Sequence, residues 1–309
     1  MSANAVEGAV SGRTAEDAKD AEDAGVRARA RRGLRTYFAV MVVVSAALQG
    51  WIIAHGGLGG PWGMLVFPLM YTPALASVIA RLSGGEGFGD VSFRWGGAAG
   101  TRAAVTAWLF PVVVGTVAYG IAWTSGLAEF AMPTGGMLQG ISNPVVRFLA
   151  LLPVALTVGT LISCLSAFGE EVGWRGYMVP RLVQAGVARA DVVSGVIWSV
   201  WHVPLILWGG YAVGEYPLLS ALLFVATVVP AALFYFRWRM TSGSVWPAVI
   251  AHGSWNVVIQ SVFDPFTHGA HAATWTGESG VLTVLVMWSL FALMHRARWA
   301  GTEAHDENA

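Results

Sequence analysis

Long apolar stretches alternate with short polar connections over most of the chain. A helix that crosses a bilayer needs about 20 mostly apolar residues, and eight stretches meet this requirement. These stretches are 36–55, 62–80, 103–123, 146–168, 191–208, 218–236, 244–262 and 280–295. Pro111 and Pro153 fall inside the third and fourth stretches and predict bends, which membrane helices tolerate. The pattern predicts an all-α, polytopic membrane helix bundle with eight transmembrane helices.

The composition agrees with a membrane protein and excludes one common class of partner. Hydrophobic residues make up 55% of the 309 residues and charged residues 12%, about half the charged share of soluble domains. The net charge is zero, and no block of like charge points to nucleic acid. The single cysteine, Cys164, has no disulfide partner within the chain. We therefore expect contacts with the lipid bilayer and not with nucleic acid.

The two ends of the chain differ in composition from the apolar region between them. Residues 1–35 are mostly Ala, Asp, Glu and Arg, which cannot bury enough surface to offset the cost of ordering, so we expect a disordered cytoplasmic tail. The eight-helix domain then covers 36–298, and 299–309 form a second cytoplasmic tail. The basic run "RARARRGLR" precedes a first apolar stretch that is too long for a signal peptide, which favours an uncleaved first span.

Basic residues orient the predicted bundle, because cytoplasmic connections are enriched in Lys and Arg. Arginines occur in the N-terminal tail, between spans two and three, four and five, and six and seven, and after span eight. The alternate connections contain almost none, with Arg147 as the exception. Both termini are therefore predicted to be cytoplasmic, in a multi-pass protein of the plasma membrane.

Ionisable side chains inside or bordering the predicted spans indicate a functional site. Glu170 and Glu171 continue directly from the fourth apolar stretch, while His202 and His252 lie inside the fifth and seventh. Ionisable groups at membrane depth are costly and usually face a functional cavity. Three pairs are four residues apart and so share a helix face: Glu171 and Arg175, Trp198 and His202, and His252 and Asn256. We expect these helices to present one acid–base cluster.

Three short segments carry a family resemblance. "EEVGWR", "WSVWH" and "HGSWN" resemble the motifs Glu-Glu-x-x-x-Arg, Phe-x-x-x-His and His-x-x-x-Asn of the CPBP family of intramembrane proteases. This family includes the type II CAAX prenyl endopeptidases and the bacterial Abi immunity proteins. The resemblance covers roughly residues 150–260, about a third of the chain, and departs from the pattern at Trp198, where the family usually has Phe. It implies an eight-helix membrane bundle.

The resemblance also implies an activity and roles for the clustered residues. The protein would be a CAAX-protease-like hydrolase that cleaves a membrane-associated peptide or protein substrate from the cytoplasmic side. Glu170 with His202 would activate water, and His252 with Asn256 would support the oxyanion. Arg175 would orient Glu171 or hold the helix end. A glutamate in a low-dielectric pocket has the properties of a general base.

Whether the reaction uses a metal is left open by the residues. Two histidines and a carboxylate can form a catalytic zinc site with one open position, here Glu170, His202 and His252. Members of the resembling family are described both as metalloproteases and as metal-independent glutamate proteases. A divalent metal, zinc, is therefore expected as one of two alternatives.

Structural and non-enzymatic interpretations compete with the protease hypothesis. The glutamates and Arg175 could form an ion pair at a helix end, and the histidines with Asn256 could be polar contacts between helices, which membrane bundles use routinely. A non-catalytic immunity or scaffold protein that binds a peptide is the main functional alternative. A proton-coupled transporter is the other, although the chain shows no inverted repeat of the kind that transporters have.

Overall fold

The computed structural model describes the backbone of residues 3–306 and the side chains of residues 19–294. Residues 1–2 and 307–309, which belong to the two expected tails, lie outside the described residues. The α-helices are α1 (Ala3–Ala54), α2 (Val66–Met70), α3 (Thr72–Gly84), α4 (Gly97–Ser125), α5 (Pro144–Val154), α6 (Thr160–Gly173), α7 (Val179–Gln184), α8 (Ala190–Trp208), α9 (Pro217–Ser242), α10 (Trp246–Val258), α11 (Ala272–Trp275) and α12 (Val281–Asp306).

Shorter elements connect or interrupt these helices. Single 3₁₀ turns occur at Gly57–Gly59, Gly63–Leu65, Gly89–Val91 and Asp264–Phe266, and π-helical turns at Ala155–Gly159, Trp174–Met178 and Ile259–Phe263. The strands are β1 (Glu129–Phe130) and β2 (Thr267–His268), which form one short antiparallel pair. The predicted all-α class is therefore confirmed.

Six helical runs in the described part of the chain are long and apolar enough to cross a membrane. They are Lys19–Ala54, Gly63–Gly84, Gly97–Ser125, Pro144–Gln184, Ala190–Trp208 and Pro217–Ser242, and each contains most of one of the first six predicted spans. The seventh prediction coincides with α10 and the π turn after it, and the eighth with the shorter apolar helix Val281–Met294. The polytopic membrane bundle is confirmed, whereas eight crossings and cytoplasmic termini stay predictions.

The N-terminal segment differs from the expected disorder. Helix α1 runs from Ala3 to Ala54 without a break at residue 35, and from Lys19 onward its side chains are described. Ala30 and Leu34 are buried in the core, and the Arg31 guanidinium donates to the carbonyl of Ala185 at 3.3 Å. Ala, Arg and Glu are strong helix formers, so the first span extends into this segment. The domain boundaries at 35 and 298 stay predictions.

The helical run that carries the two glutamates is longer than a bilayer requires. Helices α5, α6 and α7 join through two π turns into one run, Pro144–Gln184, of 41 residues. At about 1.5 Å per residue it is roughly 60 Å long, about twice the hydrocarbon thickness. The predicted span 146–168 is therefore only its first part. Glu170 and Glu171 lie inside the run, not at its end.

Two glycines bring α6 against α3 and leave the glutamates facing the other way. A Cβ at Gly169 would lie 2.7 Å from the Tyr71 ring, and one at Gly173 would lie 2.3 Å from Pro73. Small residues four apart allow such close approach between membrane helices. Helix α10 packs on α6 and α4, and α8 packs on α9, so the acidic face of α6 is turned into the bundle.

We predict that Gly173→Ala destabilises the fold, because the new methyl group would overlap Pro73. Overpacking of this kind costs about 1–3 kcal/mol, and the midpoint temperature of unfolding in detergent should fall. Gly120→Ala in α4 is the matched control, since no atom lies within 4 Å of its Cβ position. Equal midpoints for the two variants would contradict the proposed close contact.

Candidate active site

Glu171 is the centre of a buried ionic group formed by two helices. Its Oε1 accepts hydrogen bonds from Arg175 Nη1 at 2.9 Å and from His252 Nδ1 at 2.9 Å. All three side chains are at most 8% exposed. The Glu171–Arg175 pair forms within one helical run, whereas His252 comes from α10. An ionised carboxylate buried at this depth is tolerated because a guanidinium and an imidazole N–H bind its Oε1, while its Oε2 has no hydrogen-bond partner.

Glu170 is held by two indole groups and not by a cation. Its Oε2 accepts from Trp174 Nε1 at 3.2 Å and from Trp198 Nε1 at 2.9 Å. Trp174 lies four residues along the same run, while Trp198 belongs to α8. Its charge acts on the imidazoles of both His202 and His252. The two glutamates therefore have different surroundings, one ionic and one neutral.

Trp198 also packs against the cation of the ionic group. The Arg175 guanidinium carbon lies 4.1 Å from the Trp198 ring centroid and 4.6 Å from that of Tyr235. Cations are attracted to aromatic faces, more strongly where water is excluded. The Trp198 ring further lies 6.1 Å from His202 and 5.5 Å from His252, measured between centroids. The residue that departs from the family pattern thus contacts Glu170, Arg175 and both histidines.

Hydrogen bonds fix the tautomer of each histidine. His202 Nδ1 lies 2.8 Å from the carbonyl oxygen of Trp198, and a carbonyl only accepts, so Nδ1 carries the proton and Nε2 is left as an acceptor when the ring is neutral. His252 Nδ1 faces the Glu171 carboxylate and likewise carries a proton. In each ring, Nε2 is the nitrogen available to a reacting group.

A small cavity lies beside both imidazoles. Its volume is about 30 Å³, which is enough for a water molecule. The lining comes from α8, α9, α10 and two loops, and includes His202, His252, Asn256, Tyr211 and Glu278. Aromatic and aliphatic side chains complete the wall. The arrangement provides nitrogen and amide groups around a space of the size that a hydrolytic water needs.

Arginines close the site at the end where the chain's N-terminal basic residues lie. Arg239 Nε donates to the carbonyl of Arg175 at 3.0 Å, and Arg81 Nη2 donates to that of Gly176 at 3.0 Å. Both carbonyls belong to the π turn that follows the glutamates. Burial raises the pKa of Asp90, but hydrogen bonds from Arg81 and Arg181 more than offset this, and its pKa lies below the usual value.

The side of the membrane from which the site is reached stays a prediction. We expect the pocket to open toward the cytoplasm, yet with cytoplasmic termini that side holds the arginine layer just described. The cavity instead shares Tyr211 and Glu278 with a larger pocket between the loops that follow α8 and α10. Those loops lie on the opposite side of the predicted bundle, because α8 and α10 both run away from the arginine layer.

The structure gathers all six predicted site residues, although in different positions. Glu171, Arg175 and His252 form one bonded group, and His202, His252 and Asn256 line the cavity. Glu170 lies one hydrogen bond behind the lining, through Trp198. Their catalytic roles stay predictions, since the contacts establish proximity and not reaction.

Several neighbours of the cluster were not expected from the sequence. Trp174 is fully buried, and its indole donates to Glu170. Glu278 lies in a predicted outer loop, "TGESG", yet it is 8% exposed and accepts from Trp255 Nε1 at 2.7 Å. Helical spacing could have flagged Trp174, which is four residues from Glu170. No local pattern marks Glu278.

The expected zinc ligands do not form a metal site in this arrangement. Glu170 Oε2 accepts from two indole donors. In His202 and His252 the engaged nitrogen is Nδ1, which leaves Nε2 as the nitrogen that could bind a metal. Within the part of the chain whose side chains are described, no three His, Cys, Asp or Glu side chains are arranged to hold a metal ion. The residues as placed do not fit zinc, and we derive no step through it. A metal requirement stays a prediction.

We predict that Arg175→Gln is strongly destabilising, because Glu171 would lose its guanidinium partner while remaining buried. Breaking a buried pair on one side costs about 3–5 kcal/mol. The check is the midpoint of thermal unfolding in detergent, compared with Arg189→Gln. Arg189 forms an exposed pair with Asp191, so its loss should change little.

A second substitution keeps this prediction testable. Adding Glu171→Gln to Arg175→Gln removes the unpaired charge and should restore part of the lost stability. If the single variant melts like the protein with Arg189→Gln, the ionic group does not support the fold.

Comparisons with known proteins agree with the motif resemblance. Residues 151–258 match the family model described as "Type II CAAX prenyl endopeptidase Rce1-like", a stretch that includes all six site residues. A segment of 43 residues is 44% identical to CAAX prenyl protease 2 of Methanococcus maripaludis. This alignment covers 14% of the chain and 16% of that relative. The motif-bearing region of this integral membrane protein is therefore similar to type II CAAX prenyl endopeptidases.

Proposed function

We propose that the protein is an intramembrane endopeptidase that hydrolyses a peptide bond of a membrane-associated substrate. The observation that carries the proposal is the convergence of His202, His252 and Asn256 on one water-sized cavity, with two buried glutamates behind it. The Rce1-like match over the same residues supports CAAX-type proteolysis. We place the activity in the plasma membrane.

His202 and Glu170 form the water-activating pair in this proposal. Nε2 of His202 is the acceptor left free by the bond from Nδ1 to the Trp198 carbonyl. A water in the cavity gives its proton to this nitrogen while its oxygen attacks the substrate carbonyl carbon. The negative charge of Glu170, whose field reaches His202, stabilises the imidazolium that forms. A general base of this kind contributes typically 10²–10⁴-fold.

His252 and Asn256 stabilise the tetrahedral intermediate. Glu171 holds His252 through Nδ1, so Nε2 of the protonated ring can donate to the oxyanion, and the Asn256 amide supplies a second donor. Donors placed in a dry site are worth more than in water, since they need no reorganisation. The proton held by His202 then passes to the leaving nitrogen as the C–N bond breaks, which restores the neutral imidazole.

We predict that Glu170→Gln abolishes cleavage and leaves a folded protein. The substitution keeps the shape of the side chain but removes the charge that stabilises the imidazolium. The measurement compares membrane-derived peptides in cells with the original chain and with the variant. Glu22→Gln, at an exposed position of α1, is the matched control. Its peptides should match those of the original chain.

The same comparison separates the competing functions. If Glu170→Gln and His202→Ala both retain the full biological effect and no peptide depends on Glu170, the protein is not a protease and the scaffold or immunity interpretation is favoured. Uptake of a labelled solute by the purified protein in liposomes would favour a transporter.

We also predict that Trp198→Phe slows the reaction. Phe keeps the ring against Arg175 but removes the N–H that holds Glu170 at 2.9 Å. A hydrogen bond to a charged group is worth about 1.5–3 kcal/mol, so the turnover rate should fall about ten- to a hundredfold. Trp208→Phe, at an indole that is 67% exposed, should keep the rate. An unchanged rate for Trp198→Phe would show that Glu170 does not depend on this bond.

A further inference from the structure

A second pocket adjoins the catalytic cavity at the end away from the arginine layer. Its volume is about 520 Å³, and we call it the vestibule. It lies between the loop 210–213 and the segment 260–279. Tyr211 and Glu278 line both the vestibule and the cavity. A peptide chain that enters the vestibule would therefore reach the histidines past these two side chains.

The vestibule is lined by acids that have only neutral donors. Asp264 accepts from the hydroxyl of Tyr119, and Glu278 accepts from Trp255 Nε1 at 2.7 Å. Neither carboxylate has an ion-pair partner among the described side chains. In contrast, Glu171 is matched by Arg175 within the same bundle. Two acids near one opening without a cation leave the local charge uncompensated.

A third polar group points to a ligand in the same place. The Ser279 side chain is 3% exposed, and its hydroxyl has no hydrogen-bond partner, although it lines the vestibule. Buried hydroxyls nearly always have a partner. Along the described lining residues there is no Lys, Arg or His. The lining therefore offers acceptors and negative charge and no opposing cation.

We propose that the vestibule binds a cationic group of the peptide substrate, the ammonium of a lysine or the guanidinium of an arginine, beside the catalytic cavity. This inference rests on the proposed protease function. Glu278 is the positioning residue, since it belongs to both spaces and contacts the cavity wall through Trp255. Asp264 supplies the second negative charge farther out.

The test uses charged thiol reagents, which need no known substrate. Cys164 is first replaced by Ser, and a cysteine is then placed at Ala273, an exposed position of the vestibule. The probes are 2-(trimethylammonio)ethyl and 2-sulfonatoethyl methanethiosulfonate. Both react with the same thiolate and release methanesulfinate, so the ratio of their rates reports the local potential. Gly59→Cys, at an open exposed position, is the control.

We expect the cation-to-anion rate ratio at Ala273→Cys to exceed that at Gly59→Cys by about tenfold, the lower end of electrostatic focusing in clefts. Glu278→Gln with Asp264→Asn should bring the ratio to the control value. Each single substitution should remove part of the excess in the ratio. The single variants therefore test the proposal even if the double variant does not fold. Equal ratios at the two cysteines, or a ratio that the neutral variants leave unchanged, would overturn the proposal.

The ratio should also depend on pH. Burial raises the pKa of Asp264 to about 7, opposed by the hydrogen bond from Tyr119 and supported by the charge of Glu278. Asp264 lies beyond the seventh predicted span, and Tyr119 and Glu278 are the titratable side chains among the described residues that shift its pKa. The carboxyl is neutral below this pKa and negative above it, so the preference for the cation should be larger at pH 8 than at pH 6. Thiol ionisation cancels in the ratio.

The thiol experiment tests cation binding in the vestibule, and the peptide comparison tests the protease function, so each proposal can be wrong without the other. If no peptide depends on Glu170 but the ratio behaves as expected, the vestibule binds cations and the protease proposal is wrong. If peptides do depend on Glu170, basic residues should recur beside the cut, and Glu278→Gln should raise KM more than it lowers kcat. Cleavage without such a preference would overturn the role of the vestibule in substrate binding.

Discussion

The structure depends on burying two adjacent carboxylates inside an apolar bundle. An isolated ionised carboxylate in such a place costs far more than a whole domain gains on folding. The chain solves this differently for each residue: Glu171 has Arg175 and His252, whereas Glu170 has two indole N–H groups. These contacts draw α6, α8 and α10 together. The fold and the site therefore rest on the same hydrogen bonds.

The π turn Trp174–Met178 connects the helix that carries the two glutamates to the arginines of other helices. Its carbonyls at Arg175 and Gly176 accept from Arg239 and Arg81. π turns are frequent at functional sites because they free backbone groups and shift side chains. Here the freed groups bind the arginine layer, which seals one end of the site. Arginines on which the predicted orientation rests thus also close one end of the acidic cluster.

Sealing one end leaves the other to determine access. The cavity is small and mostly aromatic, and it continues past Tyr211 and Glu278 into a polar pocket between loops. Glu171, behind the cavity, has a guanidinium partner, whereas Glu278 and Asp264 have no ion pair among the described side chains. The charge of Glu171 is therefore neutralised within the protein. The charges of Asp264 and Glu278 are available to a ligand in the vestibule.

The sequence by itself determined the membrane class, the six long apolar helices and the residues that meet in one cluster. Membrane helices are predicted from the length and composition of apolar stretches, and residues four apart share a helix face by local geometry. Both signals are present in the sequence without knowledge of the tertiary structure. The sequence pattern was misleading where tertiary packing outweighs local composition. Residues 19–35 are polar and were expected to be disordered, but helix α1 continues through them because Ala30 and Leu34 are buried in the core. The helix that contains the fourth predicted span continues to Gln184, and the polar residues after 168 are paired inside the bundle.

Only the tertiary structure decided which partners the site residues have. Trp198 could not be distinguished from a packing aromatic until α8 lay against α6 and its indole reached Glu170. Glu278 is far from the motifs in sequence, and its burial depends on how the last loop folds over α10. Contacts between distant segments follow from the three-dimensional packing of helices and have no local signal. The sequence therefore determined which groups are present, and the packing decided how each is held and from which side they are reached.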